Sequence, residues 1–286
     1  MTLIVFVVTN EYAIVASDRR MTTLQRGKPT KFEDVAMKTF LLNGQVLMGY
    51  TGVAVLDGMP MERWVADALW GVMPDAIPET LRYRMNDYYR RHPEVRGLPH
   101  HFRLAGFGSD TARRPATFPI GFEVSNARWV AKGDRVESVH VGEFKTVQNI
   151  FGNRRQAVGA VGAPYSLRAL RSLENTVRFA LRRDPQDPSG LFDPIVQFIR
   201  AVADRSGGTV GHTVMVASIP RSATPILIPG WTFPLGENHS PAKEQAYAVM
   251  YPEDVGAPVA YAPAIINPDV QMLEIRMERQ RPDLGT

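Results

Sequence analysis

The order of its secondary-structure signals constrains this chain more than any single residue does. Apolar, β-branched runs at residues 2–8 and 12–16 flank Thr9-Asn10-Glu11 and read as a hairpin. Residues 39–42 and 45–50 read as a second hairpin around Asn43-Gly44, the strongest short-range hairpin signal. The polar stretch 22–34, with Gly27 and Pro29, reads as a loop. Two helical segments follow at 61–72 and 79–91, the second bracketed by Pro78 and Pro93. Strands are expected at 102–107, 117–124, 136–141 and 156–161. Residues 165–182 place Leu167, Leu170, Leu173, Val177 and Leu181 at helical spacing, and 191–203 form another helix after an Asp-Pro-rich turn. Residues 213–219 and 225–228 close a last hairpin. Strands, two helices, strands, two helices, strands is not the regular alternation of a doubly wound parallel sheet. It suits an α+β chain with two stacked, largely antiparallel sheets and a helix pair on each outer face. From Trp231 the chain is Pro-rich and weakly periodic, so residues 1–230 are expected to form the domain and 231–286 an appendage.

Bulk properties exclude several classes. The chain has 286 residues, 44% apolar and 22% charged, as ordinary globular proteins have. No apolar stretch reaches the ~18–20 residues a membrane span needs. The N-terminus lacks a basic n-region, and Asp18, Arg19 and Arg20 stand where a signal cleavage site would. A cytoplasmic address is the simplest expectation. The absence of cysteine excludes disulfides, thiol catalysis and cysteine-based metal sites. A formal charge of +4 without a dense Lys/Arg stripe argues against a nucleic-acid partner. His100-His101 lack further ligands at metal spacing, and Gly106-Phe107-Gly108 is too short to cradle a phosphate, so no cofactor is expected.

Chemistry enters at position 2. Removal of Met1, which aminopeptidases favour when the next residue is small, would make Thr2 a free N-terminal residue. Such a threonine carries a weak hydroxyl nucleophile and an α-amine whose ordinary pKa is about 7.7–8.0. The amine can take the hydroxyl proton, the threonine–amine variant of nucleophilic catalysis.

Further landmarks stand at defined intervals from Thr2. They are Val15-Ala16-Ser17-Asp18-Arg19-Arg20, Met37-Lys38-Thr39-Phe40, Met48-Gly49-Tyr50-Thr51-Gly52, Gly162-Ala163-Pro164-Tyr165 and Asp204-Arg205-Ser206-Gly207-Gly208. On these residues the chain, from about Thr2 to Pro229, resembles the proteasome β-subunit and its bacterial relatives, the N-terminal-nucleophile hydrolases. The resemblance implies a four-layer αββα sandwich. It departs from the pattern at Val161, where the family has a supporting serine. The acidic-to-serine spacing at Asp204 and Ser206 is one residue short, and the loop between Asp18 and Lys38 is longer than usual.

The resemblance also implies roles. Thr2 Oγ attacks an amide carbonyl, Lys38 is a neighbouring cation, Asp18 holds Lys38, and the Gly52 N–H faces the oxyanion. Asp204 and Ser206 would be accessory groups near the threonine amine, and residues near Arg20, Thr22 and Val53 would line the specificity pocket. Taken singly, Asp18 reads as a surface ion-pair partner, Lys38 as a snorkelling strand lysine and Gly52 as a turn glycine. The expected activity is that of a threonine-type peptidase acting on a peptide or protein, in a ring or related homo-oligomer. A peptide ligase, a small-amide amidase and an inactive assembly subunit are the alternatives. Met1 as a minimal propeptide, with no helix ahead of Thr2, favours the active forms.

Overall fold

The computed structural model describes residues 2–25, 28–34, 36–42, 46–72, 76–110, 114–150, 156–221, 247–253, 259–261 and 264–266. The first strands are β1 (Leu3–Thr9), β2 (Tyr12–Asp18), β3 (Met21–Gln25), β4 (Lys28–Glu33), β5 (Thr39–Leu42) and β6 (Val46–Thr51). A short ribbon, β7 (Val55–Leu56) and β8 (Met59–Pro60), leads into helices α1 (Met61–Ala68) and α2 (Ile77–Arg91). Then come β9 (His101–Asp110), β10 (Arg114–Lys132), β11 (Arg135–Ile150), β12 (Gln156–Gly162) and β13 (Tyr165–Ser166). Helices α3 (Leu167–Arg183) and α4 (Phe192–Ala203) precede β14 (Val214–Pro220), β15 (Tyr247–Tyr251), β16 (Val259–Tyr261) and β17 (Ala264–Ile266). None of the described helices is long and apolar enough to cross a membrane.

Two sheets hold most of these strands. One has the order β12-β1-β2-β14-β15-β16, the other β13-β11-β10-β9-β6-β5-β17. Every pairing in them is antiparallel except β17 with β5. The architecture is therefore mixed, with largely antiparallel sheets and, among the described residues, four α-helices.

Period-2 alternation explains why β1 shows no polar face. Leu3, Val5 and Val7 point into an apolar cluster shared with Leu173 and Val177 of α3 and Ile195, Ile199 and Val202 of α4. Ile4, Phe6 and Val8 point the other way, onto Leu41, Leu47 and Ala105 of the second sheet. The second sheet repeats the division. Phe40, Met48 and Phe102 face α1 and α2, while Leu41, Leu47 and Ala105 face the first sheet. A strand covered on both faces reads as a continuous apolar run.

Local chemistry closes the turns. Thr9 Oγ1 accepts from Glu11 N at 3.1 Å and Tyr12 N at 2.9 Å, which shapes the β1–β2 hairpin. At the start of α3, Ser166 Oγ accepts from Ala169 N at 3.1 Å, a side-chain N-cap.

Several expectations shift. The loop expected at 22–34 contains the β3–β4 ribbon, with Met21 opposite Glu33 and Thr22 opposite Phe32. Its base is clamped by Arg20 Nε on Asp34 Oδ1 at 2.7 Å, so ladder bonds and an ion pair, which hydropathy does not register, hold it. β10 and β11 run far beyond 117–124 and 136–141 because Lys132 pairs with Arg135 across a two-residue Gly133-Asp134 loop. The helix expected from 191 begins as a single 3₁₀ turn, Ser189–Leu191, before α4. Within 231–286, β15 pairs with β14 and with β16, and β17 pairs with β5. The turn at 43–45 and the strand expected at 225–228 lie outside the described residues.

Gly159 makes the packing testable. A Cβ there would lie 2.2 Å from the Phe6 ring, and the Arg103 guanidinium covers that ring at 3.7 Å, so the ring has nowhere to swing. Gly159→Ala is expected to cost about 1–3 kcal/mol in urea unfolding. Gly97→Ala, with nothing within 4 Å, is expected to stay within about 0.5 kcal/mol.

Candidate active site

Three charged or hydroxyl side chains meet at the start of β1. Lys38 Nζ donates to Thr2 Oγ1 at 2.6 Å, to Asp18 Oδ2 at 3.0 Å and to the Arg20 carbonyl. Three acceptors match the three N–H groups of an ammonium. The side chains of Lys38 and Asp18 are 2% and 0% exposed. Burial pushes the Lys38 pKa down, and the charge and hydrogen bond of Asp18 oppose that shift. Asp18 Oδ1 accepts from Leu3 N at 2.9 Å, and Oδ2 also accepts from Arg20 N at 3.0 Å and Gly211 N at 3.3 Å. Asp18 thus serves only as acceptor, the pattern of an ionised carboxylate. A buried pair of this kind needs such partners, because desolvation otherwise exceeds the Coulomb gain.

The backbone of Thr2 is held as firmly as its side chain. Its carbonyl accepts from Ala163 N at 2.8 Å and from Thr51 Oγ1 at 3.2 Å. Gly162, at φ +107°, allows this approach, since a Cβ there would lie 2.0 Å from the Thr2 oxygen. Thr51 ends β6, and Gly52 follows it at φ +115°.

His100 supports that corner. Its Nδ1 accepts from Val53 N at 3.2 Å, so the neutral ring carries its proton on Nε2. A Cβ on Gly52 would fall 2.5 Å from this Nδ1. The ring is fully buried against Tyr50 and Phe102. Burial, and secondarily the charge of His101, pushes its pKa down to about 3.

The structure brings Thr2, Asp18 and Lys38 into contact, with Gly52 next to Thr51, which bonds Thr2. Asp204 and Ser206 are not brought to Thr2 by any hydrogen bond among the described residues. Asp204 caps α4, is 68% exposed, and its Oδ1 meets His212 Nε2 at 2.8 Å. Ser206 Oγ donates to Ala203 O at 2.8 Å and accepts from Val210 N at 3.0 Å, closing the turn after α4. Val161, at the position where a hydroxyl is missing, sits beside Ile4 in the core between the sheets.

Sequence reading missed His100 as a prop, Gly211 as a donor to Asp18, and the Thr51 hydroxyl. A Gly-Gly-Thr-Val-Gly run after α4 marked a tight backbone there, but nothing local tied it to Asp18. His101 is occupied elsewhere. Its Nδ1 meets Glu123 Oε1 at 3.0 Å and its Nε2 meets Ser138 Oγ at 2.6 Å, with the ring stacked on Trp129.

The folded state resists protonating His100, whereas the unfolded chain binds that proton near pH 6.5. Stability from this group is therefore present above pH 6.5 and lost as pH falls towards 3. His100→Asn removes the titration. Between pH 7 and pH 4.5 the wild-type protein is expected to lose about 2–3 kcal/mol more unfolding free energy than the variant. Parallel losses in urea titrations would refute the assignment.

No protein-family model matches this sequence, and no curated protein matches it. Among solved structures, the chain is similar to the Gly-1 mutant of Anbu from Hyphomicrobium sp. strain MC1, with a TM-score of 0.35 and 13% identity over 76% of this chain and 82% of that one. A likeness at that level bears on neither reaction nor assembly.

Proposed function

We propose that this chain is an N-terminal threonine hydrolase with the four-layer architecture of the N-terminal-nucleophile class, cleaving amide bonds in peptides or proteins. The observation that carries this reading is the buried ammonium of Lys38 against the Thr2 hydroxyl, 2.6 Å from Oγ1. A cation at that distance favours the deprotonated hydroxyl and lowers the pKa of a neighbouring amine.

With Met1 removed, Thr2 Oγ1 attacks the substrate carbonyl and its proton passes to the α-amine, directly or through water. The tetrahedral oxyanion faces the Gly52 N–H. Collapse expels the amine half of the substrate, which takes the proton, and leaves an ester on Thr2. Water then attacks the ester, releases the acid and restores the hydroxyl. Asp18 holds Lys38 charged and aimed, as the third member of a triad does. Asp204 and Ser206 hold the loop that presents Gly211 to Asp18. A homo-oligomer in the cytoplasm that shields the site is part of the same reading.

Intact mass before and after a β-lactone probe is the direct test. Loss of Met1 and one covalent adduct, absent in Thr2→Ala, are expected. Lys38→Ala is expected to slow acylation about 10²–10³-fold, the size seen when one stabilising donor is removed. Retained Met1 with no adduct would overturn the reading and point to an inactive assembly subunit.

A further inference from the structure

We propose that Glu253, from the far end of the chain, is a positioning residue for the Thr2 site. This rests on the threonine-nucleophile reading above. Two backbone groups complete the buried pair from outside. The Arg20 carbonyl takes the third proton of Lys38, and the Gly211 N–H donates to Asp18. They belong to separate segments, the end of β2 and the loop after α4. Glu253 lies between those segments. Its Oε2 accepts from Arg20 NH2 at 3.4 Å, and its Oε1 lies 3.4 Å from Nδ1 of His212, the neighbour of Gly211.

The surrounding groups fix what Glu253 can do. Arg20 is already held by Asp34 through Nε at 2.7 Å and NH2 at 2.9 Å, and it stacks over Phe32. His212 Nε2 meets Asp204 Oδ1 at 2.8 Å, whereas its Nδ1 makes no hydrogen bond among the described residues. Arg200 ties the same two strand ends through the backbone, donating to Pro252 O at 2.6 Å and His212 O at 3.1 Å. Strand β15 delivers Pro252 and Glu253 to this point by pairing with β14. Thus Glu253, from a segment beyond residue 230, is hydrogen-bonded to Arg20 and lies beside His212, next to the outer hydrogen bonds of Lys38 and Asp18.

The Glu253 side chain is 47% exposed, and ion pairs at that exposure add little to stability. Its loss should therefore show in rate and not in melting. Glu253→Gln is expected to slow β-lactone acylation of Thr2 about 3–10-fold at saturating probe, with half-saturation unchanged. Its melting temperature should stay within about 3 °C of wild type. Glu253→Asp, which keeps the charge, should recover most of the rate. Acylation by Glu253→Gln at the wild-type rate overturns the proposal. So does a parallel loss of rate and melting temperature matching that of Arg200→Gln, because a structural role would then suffice. If wild type itself is not acylated, the threonine reading fails separately. Glu253 is then judged by the Lys38 titration, followed by NMR of 13Cε-labelled lysine. A titration moved in Glu253→Gln sustains the positioning role, and an unmoved one removes it.

Discussion

The buried Lys38–Asp18 pair is the constraint around which the rest of the site is arranged. Two opposite charges removed from water are tolerated only when their remaining donors and acceptors are met. Those partners come from stretches far apart in sequence: Leu3 from β1, Arg20 from the end of β2, Gly211 from the loop after α4, and the hydroxyl of Thr2. Each strand end must therefore stop where it does. A shift of one residue in the β1–β2 register would turn Ile4 and Phe6 towards the helices and pull Leu3 N off Asp18.

The layered packing supplies that precision. β1 is apolar on both faces because α4 covers one and the second sheet covers the other. Such a strand cannot slide or tilt without opening voids on two sides, and dense interiors resist that. Thr2 stands at its open end, with its carbonyl gripped from β6 and from the turn after β12. Gly162 and Gly52 make two close approaches beside this end, where any side chain would collide with the Thr2 carbonyl or with His100.

Around this core, polar groups do structural work that resembles catalysis in composition only. His101, Glu123 and Ser138 form a hydrogen-bonded series in the order of a nucleophile, base and acid. His101 is 1% exposed beneath Trp129, and Arg103 lies beside Glu123, so the series serves a buried charge between the sheets. The hydroxyls also differ by position: Thr2 stands just ahead of β1, whereas Ser138 lies within β11.

What the sequence determined by itself was periodic or covalent. Runs of β-branched residues, leucines at helical spacing and the place of Thr2 behind Met1 are properties of adjacent residues, and they announced strands β1, β2, β5, β6, β9 to β12 and β14, helices α1 to α4 and the candidate nucleophile. The spacing of Thr2, Asp18 and Lys38 was legible only through a resemblance, and the structure brings those three into contact. No hydrogen bond among the described residues links Asp204 or Ser206 to Thr2: the Ser206 hydroxyl closes the turn after α4, and the Asp204 carboxylate meets His212. Only the tertiary structure decided that β3 and β4 form a ribbon, that residues beyond 246 add strands to both sheets, and that His100, Gly211 and Glu253 stand around the site. Each depends on ladder hydrogen bonds or ion pairs between segments distant in sequence. Such contacts leave no periodic trace, because their energy comes from where the chain returns and not from what neighbours what.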